Sequence, residues 1–210
     1  MRNLALVWVL AGCLLGCGGG GKTLPPDTDT TFTDHRDGKV YKIVEIGSQT
    51  WFAENLNYAA EGSKCYNNSP DSCAKYGRLY NWETAMTACP AGTHLPTDKE
   101  WDTLVDYVGG YSTAGTKLKS STGWKSFKDV PVGTDEYGFS ALSGGIGISD
   151  CNFHHTGNNG GWWSATENCA DSAWYRCMHY NFENVCIDYG IKANLYSVRC
   201  VQDDEKERRK

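Results

Sequence analysis

The sequence lacks an apolar run long enough to cross a bilayer, which takes roughly 20 residues. Its longest, Leu4 to Leu15, is about a dozen residues, and no transmembrane helix is expected. It also lacks a net positive charge. The net charge is −5 and the isoelectric point is near 5.5, which argues against a nucleic-acid partner. There is no C-x-x-C pair, no Gly-x-Ser-x-Gly string, no phosphate-binding loop and no dinucleotide fingerprint. These absences leave no signature of a zinc ribbon, a serine-hydrolase elbow or a nucleotide site. No paired carboxylates for glycoside hydrolysis can be picked out. No catalytic residue, resident metal or cofactor is expected, and the chain is read as a non-enzyme.

What is present begins at the N-terminus. Met1-Arg2-Asn3 is a short positive region, followed by the apolar stretch and then by small residues ending in cysteine. This pattern reads as a secretory signal closed by a bacterial lipobox, in one of two frames, Leu10-Ala-Gly-Cys13 or Leu14-Leu-Gly-Cys17. Lipidation at Cys17 leaves an even set of cysteines downstream, whereas lipidation at Cys13 leaves Cys17 as an odd thiol. Cys17 is therefore the expected acylated residue and Cys13 the alternative. A diacylglycerol thioether with an N-acyl chain exceeds the two-chain threshold for stable anchoring. Residues 1–17 are thus read as signal and lipobox, and 18–31 as a Gly-rich and then Pro/Thr/Asp-rich tether. Residues 32–201 form a single domain, and 202–210 a solvated charged tail. The partner this implies is a membrane, reached through the lipid. Gly18 carries no acidic retention signal, so the expected location is the outer membrane.

Eight cysteines follow the lipobox: Cys65, Cys73, Cys89, Cys151, Cys169, Cys177, Cys186 and Cys200. An even set in an exported domain reads as a disulfide framework. Cys65 and Cys73 flank a run of turn formers and suit a local staple. Cys177 and Cys186 would face each other if Asn181-Phe182 made a two-residue hairpin turn. The composition, with 24 glycines, 8 Trp, 12 Tyr and 6 Phe, suits a loop-rich protein in which aromatic rings supply much of the buried area.

Local patterns outline an α+β order. Val40 to Ile46 and Thr50 to Leu56 read as a hairpin about Gly47-Ser48-Gln49, preceded by an Asp37-Gly38 turn. Asn81 to Ala88 reads as a short helix. The pattern Thr97-x-x-Glu100 is a capping box, and Trp101, Leu104, Val105 and Val108 recur at helical spacing behind it. Gly109-Gly110 should end that helix. A further short helix is expected over 114–120. Strands are expected over 138–142, 162–165, 173–180, 185–189 and 195–201.

Five strings thread through these elements: Tyr76-Gly-Arg-Leu-Tyr-Asn-Trp82, Cys89-Pro-Ala-Gly-Thr-His-Leu-Pro-Thr-Asp-Lys-Glu-Trp101, Gly138-Phe-Ser-Ala-Leu142, Gly161-Trp-Trp-Ser-Ala-Thr166 and Ser197-Val-Arg-Cys-Val201. Together they resemble the Fibrobacter succinogenes major paralogous domain, over residues 32–201. Two early helices followed by a run of strands also resemble the C-type-lectin-like fold. The resemblance implies a twisted, mainly antiparallel sheet with two or three short helices. It also implies a bond between a helix cysteine and a last-strand cysteine, Cys89–Cys200. Cys151–Cys169 is the remaining pair, and it is interchangeable with Cys177–Cys186 on sequence alone. The Leu95 to Trp101 and Val198 to Val201 strings are similar to the formylglycine-generating-enzyme branch of that fold. That branch uses a closely spaced late cysteine pair, which is absent here, so its oxidase activity does not carry over. The calcium-chelating tripeptides of sugar lectins are absent too. Asp34 and Asp37, the nearest substitutes, are better read as turn residues.

Two functions follow as expectations: a non-catalytic surface module for polysaccharide or protein, or a structural envelope lipoprotein without a small ligand. For the first, Trp124, Trp162, Trp163, Trp174 and Tyr175 are candidate stacking residues. Of these, Trp162 and Trp163 are the leading ones, with His154 and His155 in a polar late loop. Exposed aromatics on one face would favour the binding module.

Overall fold

The computed structural model describes residues 30–149 and 152–204. The signal segment and lipobox, most of the tether, Cys151 and the tail beyond Asp204 lie outside the described residues. With them lie the readings placed on Cys13, Cys17 and the Cys151–Cys169 bond. Among the described residues no helix is long and apolar enough to cross a membrane.

Pairing starts within the segment read as tether. Strand β1 (Thr31–Asp34) lies antiparallel to β2 (Lys39–Ile46). The turn between them is tied by its own side chains: Asp37 Oδ1 accepts from the Lys39 N–H at 3.0 Å. The fully buried Asp34 carboxylate accepts from Arg36 Nε at 2.9 Å and Nη2 at 2.7 Å. Arg36 also donates to the Ala88 carbonyl at 2.8 Å, pinning this turn to a helix end far along the chain. Both aspartates therefore serve the turn. The expected hairpin follows, β2 to β3 (Gln49–Phe52), in antiparallel register. Gly47 at its turn has φ +65°, and a Cβ there would sit 2.9 Å from the Tyr107 ring, so both backbone and space call for glycine.

Four helices are present among the described residues. Helix α1 (Pro70–Tyr76) was not expected: it starts inside the loop between Cys65 and Cys73 and runs on past Cys73, with Pro70 in its first turn. After β4 (Leu79–Tyr80) comes α2 (Trp82–Ala88), whose Asn81 N-cap accepts from the Thr84 N–H at 2.8 Å. After β5 (Thr93–His94), α3 (Asp98–Tyr107) carries the capping box, with Thr97 Oγ1 accepting from the Glu100 N–H and Glu100 Oε2 from the Thr97 N–H. Trp101, Leu104, Val105 and Val108 are all buried, the face that their spacing requires. Gly109 and Gly110, at φ 112° and 87°, turn the chain into α4 (Tyr111–Leu118), which starts three residues before the expected 114.

The later strands are β6 (Ile146–Gly147), β7 (Phe153–His154), β8 (Asn159–Cys169), β9 (Ser172–His179), β10 (Cys186–Ile191), β11 (Tyr196–Ser197) and β12 (Val201–Gln202). One five-stranded sheet has the order β1-β2-β3-β12-β5, a second the order β10-β9-β8-β11-β4, and β6 and β7 pair separately. Between these strands pairing is antiparallel except for β11 and β8. The expected strand over 195–201 is split: β11 joins the second sheet and β12 the first, so this segment couples the two. The expected strand over 138–142 does not form. Gly138 and Ser140 take φ values of 68° and 52°, and the segment runs as an irregular loop with Phe139 and Ala141 buried.

Two apolar clusters fill the molecule. Trp51, Trp101, Phe139 and Trp162 centre the first, beneath α3. Tyr41, Phe52, Tyr80, Trp163 and Tyr196 centre the second. Arg176 on β9 ties α3 to the second sheet: 1% exposed, it donates to Asp98 Oδ1 at 2.9 Å and Asp102 Oδ1 at 2.8 Å. The result is an α+β, loop-rich fold with three disulfides among the described residues: Cys65–Cys73, Cys89–Cys200 and Cys177–Cys186.

An ionic bridge sits where β5 meets the chain's end. His94 Nε2 lies 2.6 Å from Glu100 Oε1, and Nδ1 lies 2.6 Å from Asp203 Oδ1. The Glu100 and Asp203 hydrogen bonds outweigh burial and push the imidazole up to about 9 from 6.5. Raised in the fold, this group stabilises fully below its unfolded value, and the contribution is lost as pH rises from about 6.5 to 9. Glu100 is shifted the other way, held below its ordinary 4.5 against burial by His94 and Thr97. Its contribution is lost as pH falls below that value. The bridge is partly exposed, so solvent screening reduces it to about 1–2 kcal/mol. Urea midpoints should therefore fall between pH 6 and pH 9.5, and His94→Gln should flatten that fall. Equal losses in both proteins would assign the pH dependence elsewhere.

Candidate functional site

Three of the five strings meet at one side chain, Asn55, just past the end of β3, and a fourth, 138–142, joins them through Arg199. Its Oδ1 accepts from Trp162 Nε1 at 2.8 Å and from Arg199 Nη2 at 2.9 Å and Nε at 3.2 Å. Its Nδ2 donates to the Tyr76 carbonyl at 2.9 Å, at the end of α1. Arg199 is fully buried and spends its remaining N–H groups on the carbonyls of Phe52 (3.0 Å), Phe139 and Ser140 (3.3 Å). Its guanidinium also lies 4.4 Å from the centre of the Phe139 ring. No carboxylate forms an ion pair with it among the described residues. Burial therefore pushes its proton affinity down. The remaining string supplies Cys89, bonded to Cys200 beside Arg199, and Trp101, which packs on Trp51 and Phe139.

Above this node opens a cleft of about 340 Å³. Its walls come from β2 (Lys39, Lys42), from the chain after β3 (Glu54, Asn55, Asn57), from α1 and its end (Lys75, Tyr76, Gly77) and from the loops at Ser120 and Ser140. Gly77 has φ +75°, and a Cβ there would fall 2.8 Å from Asn55 Cβ and the Leu56 carbonyl. The end of α1 is thus pressed onto the floor, and the Cys65–Cys73 bond fastens α1 through Cys73, itself part of the cleft lining. The cleft presents a single carboxylate, Glu54.

The leading aromatic candidates are corrected here. Trp162 and Trp163 are both 0% exposed. They point to opposite faces of β8, and each face is covered by a different apolar cluster. Their N–H groups are used internally, Trp162 on Asn55 and Trp163 on the Tyr80 carbonyl at 2.8 Å. Trp124 is also buried, donating to the Ala141 carbonyl. Tyr175 is half-buried and stacks on Tyr196. Trp174 is half-buried too, on the opposite face of β9 from Tyr175. It meets Tyr189 edge to face at 5.7 Å, and the register sets the two directly opposite on β9 and β10. Tyr189 is 58% exposed and is flanked along the same face by Ile187 and Ile191, 46% and 58% exposed. Sequence analysis missed these three β10 residues, although their i, i+2, i+4 spacing places them on one face.

His154 and His155 are exposed, with ring centres 5.8 Å apart. Neither shares the cleft or the β10 face. Cys177 and Cys186 stand directly opposite in the β9–β10 register, as a hairpin requires, though the turn spans 180–185 rather than two residues. Their sulfurs and a nitrogen of His179 lie within 4.8 Å of one another. The sulfurs are bonded to each other, which leaves one imidazole as a ligand. Cys169 is an exposed thiol without a bond among the described residues. A hydrogen bond with Ser172 holds it below the ordinary thiol range.

Neither a curated protein nor a solved structure matches the chain. The model of one family does, across residues 44–202, from within β2 to the end of β12. That interval takes in the Asn55–Arg199 node, every segment that meets there and all three disulfides. The chain belongs to the Fibrobacter succinogenes major domain family.

Proposed function

We propose that this protein is a lipid-anchored outer-membrane module that binds polysaccharide without chemically altering it. The observation that carries the reading is the Trp174–Tyr189 pair on the open face of β9–β10, bordered by Ile187 and Ile191. Side chains of this size and exposure, gathered on one rigid ribbon, favour contact with a ligand over a purely structural role. The ribbon is well supported: Cys177–Cys186 crosses it. Lys119, buried beneath its turn, donates to the carbonyls of His179 at 3.1 Å and Phe182 at 2.8 Å. A non-catalytic role is supported by the cleft, whose one carboxylate falls short of the pair that glycoside hydrolysis uses. Anchoring rests on the lipobox cysteine, Cys17 or Cys13, followed by the tether.

Retention of the detergent-solubilised protein on insoluble cellulose and xylan tests the reading. Trp174→Ala and Tyr189→Ala should each weaken retention about tenfold or more, as hot-spot aromatics do. Retention independent of both residues would move the contact off this ribbon, and no retention of folded protein would turn the reading to a structural envelope role. Incorporation of labelled fatty acid that is lost in Cys17→Ser but kept in Cys13→Ser would place the anchor.

A further inference from the structure

We propose that the cleft above the Asn55–Arg199 node is a separate binding site for the carboxylate-bearing unit of an acidic saccharide. The charge balance there is opposite to that of the whole protein. The chain carries −5 overall, yet Lys39, Lys42 and Lys75 line the cleft against the single carboxylate of Glu54. None of the three ammonium groups is in an ion pair among the described residues. Lys39 and Lys75 instead lie 5.5 Å and 4.9 Å from the rings of Tyr41 and Tyr76. Glu54 is partly engaged elsewhere, since its Oε1 accepts from the Lys42 backbone N–H at 3.1 Å.

Behind the floor lies a fourth positive charge. Arg199 is bound only by neutral oxygens, and Asp135 and Glu54 act on it without forming an ion pair, so its field is offset only in part. A buried charge acts through a medium of low dielectric and is felt more strongly than one in water. A carboxylate entering the cleft would offset the lysine cluster and add to the partial compensation of the guanidinium.

The neutral lining favours a sugar as the carrier of that carboxylate. Asn57 and Tyr76 both line the cleft, and neither the Asn57 side-chain amide nor the Tyr76 hydroxyl hydrogen-bonds another group among the described residues. Together they supply an acceptor, amide donors and a phenol, the partners that sugar hydroxyls use. The floor is preorganised by the Asn55 network, by the pressed backbone of Gly77 and by Cys65–Cys73. Little ordering cost is therefore left for binding. The site lies apart from the β9–β10 ribbon and stands or falls without it.

Calorimetric titration of the full-length, oxidised protein in detergent tests this directly. The probes are a galacturonate trimer, a neutral galactose trimer and sodium acetate. The galacturonate trimer should bind, more weakly as salt rises. The neutral trimer and acetate should each bind about tenfold or more weakly, for want of the charge and of the hydroxyl contacts respectively. The surface variant Lys39→Gln/Lys42→Gln/Lys75→Gln should lose about tenfold or more affinity while keeping the wild-type urea midpoint. Glu54→Gln should bind at least as well as wild type, and Trp174→Ala should be unchanged here even where it abolishes cellulose retention. Equal affinity for the acidic and neutral trimers would overturn the proposal. So would a lysine variant that binds like wild type, or folded protein that binds neither trimer.

Discussion

Arg199→Met should lower the stability of the domain by about 3–5 kcal/mol, among the largest losses from any single side chain in the described structure. Methionine keeps much of the apolar stem but removes every donor from a fully buried position. Asn55 Oδ1 would lose two of its three donors, and the carbonyls of Phe52, Phe139 and Ser140 would each lose one. A buried acceptor left without a partner costs roughly 1–3 kcal/mol. Relaxation of the 138–142 loop would recover part of the sum, so the expected figure lies below simple addition. The guanidinium itself is costly to bury, which is why the net loss is counted from the stranded oxygens and not from the charge.

Arg199→Lys separates shape from charge. One ammonium has three donors on a single atom and cannot reach an amide oxygen and three carbonyls arranged around a planar fork. It should recover less than half of the loss. Urea midpoints at constant m-value measure both variants. A loss under about 1.5 kcal/mol for Arg199→Met, or full rescue by lysine, would mean that the node is not what holds these segments together.

The parts of the fold that could be read in advance are those specified by neighbours in sequence. Helix α3 announces itself because its cap, its apolar face and its glycine stop lie within one short stretch. The β9–β10 hairpin is legible for the same reason. Helix α1 was overlooked because Ser69-Pro70-Asp71 reads as a turn, although proline in the first turn, Asp71 at the start and Lys75 at the end also make a sound helix. Strand β1 carries no pattern of its own and is extended because β2 pairs with it. The 138–142 segment deceives in the other direction. Phe139 and Ala141 alternate with Ser140 as a strand would, but the backbone turns its carbonyls toward Arg199.

The site was less legible, and the reason is distance along the chain. Asn55 and Arg199 are 144 positions apart, and nothing near either of them states that they meet. The strings that reveal the family are, in the structure, largely the segments gathered at this contact. The double tryptophan misled because alternation marks an exposed face only when one side of a sheet is open. Strand β8 is covered on both sides at Trp162 and Trp163. Exposure appears instead on β10, at Ile187, Tyr189 and Ile191, with Trp174 opposite Tyr189 in the register.

Removing Cys89–Cys200 should cost more than removing either short disulfide. Its cysteines are 111 positions apart, against 8 for Cys65–Cys73 and 9 for Cys177–Cys186. In the chain-entropy account, loops of these lengths confer about 4–5 kcal/mol and roughly 2–3 kcal/mol respectively. The paired change Cys89→Ala/Cys200→Ala should therefore produce the larger drop in urea midpoint, by about 2 kcal/mol over Cys65→Ala/Cys73→Ala. The two should also differ in where the damage falls. Cys65–Cys73 anchors α1 beside the cleft, so its loss should weaken any cleft ligand more than it weakens the fold. Cys89–Cys200 fastens the end of α2 to the residue next to Arg199, in the segment that couples the two sheets. Its loss should couple to Arg199→Met, so that the combined variant loses less than the sum of the separate losses, because the first change already frees the segment. Strict additivity would show that the bond and the node act independently. A short-loop variant as damaging as the long-loop one would show that local packing, and not loop closure, sets the value of these bonds.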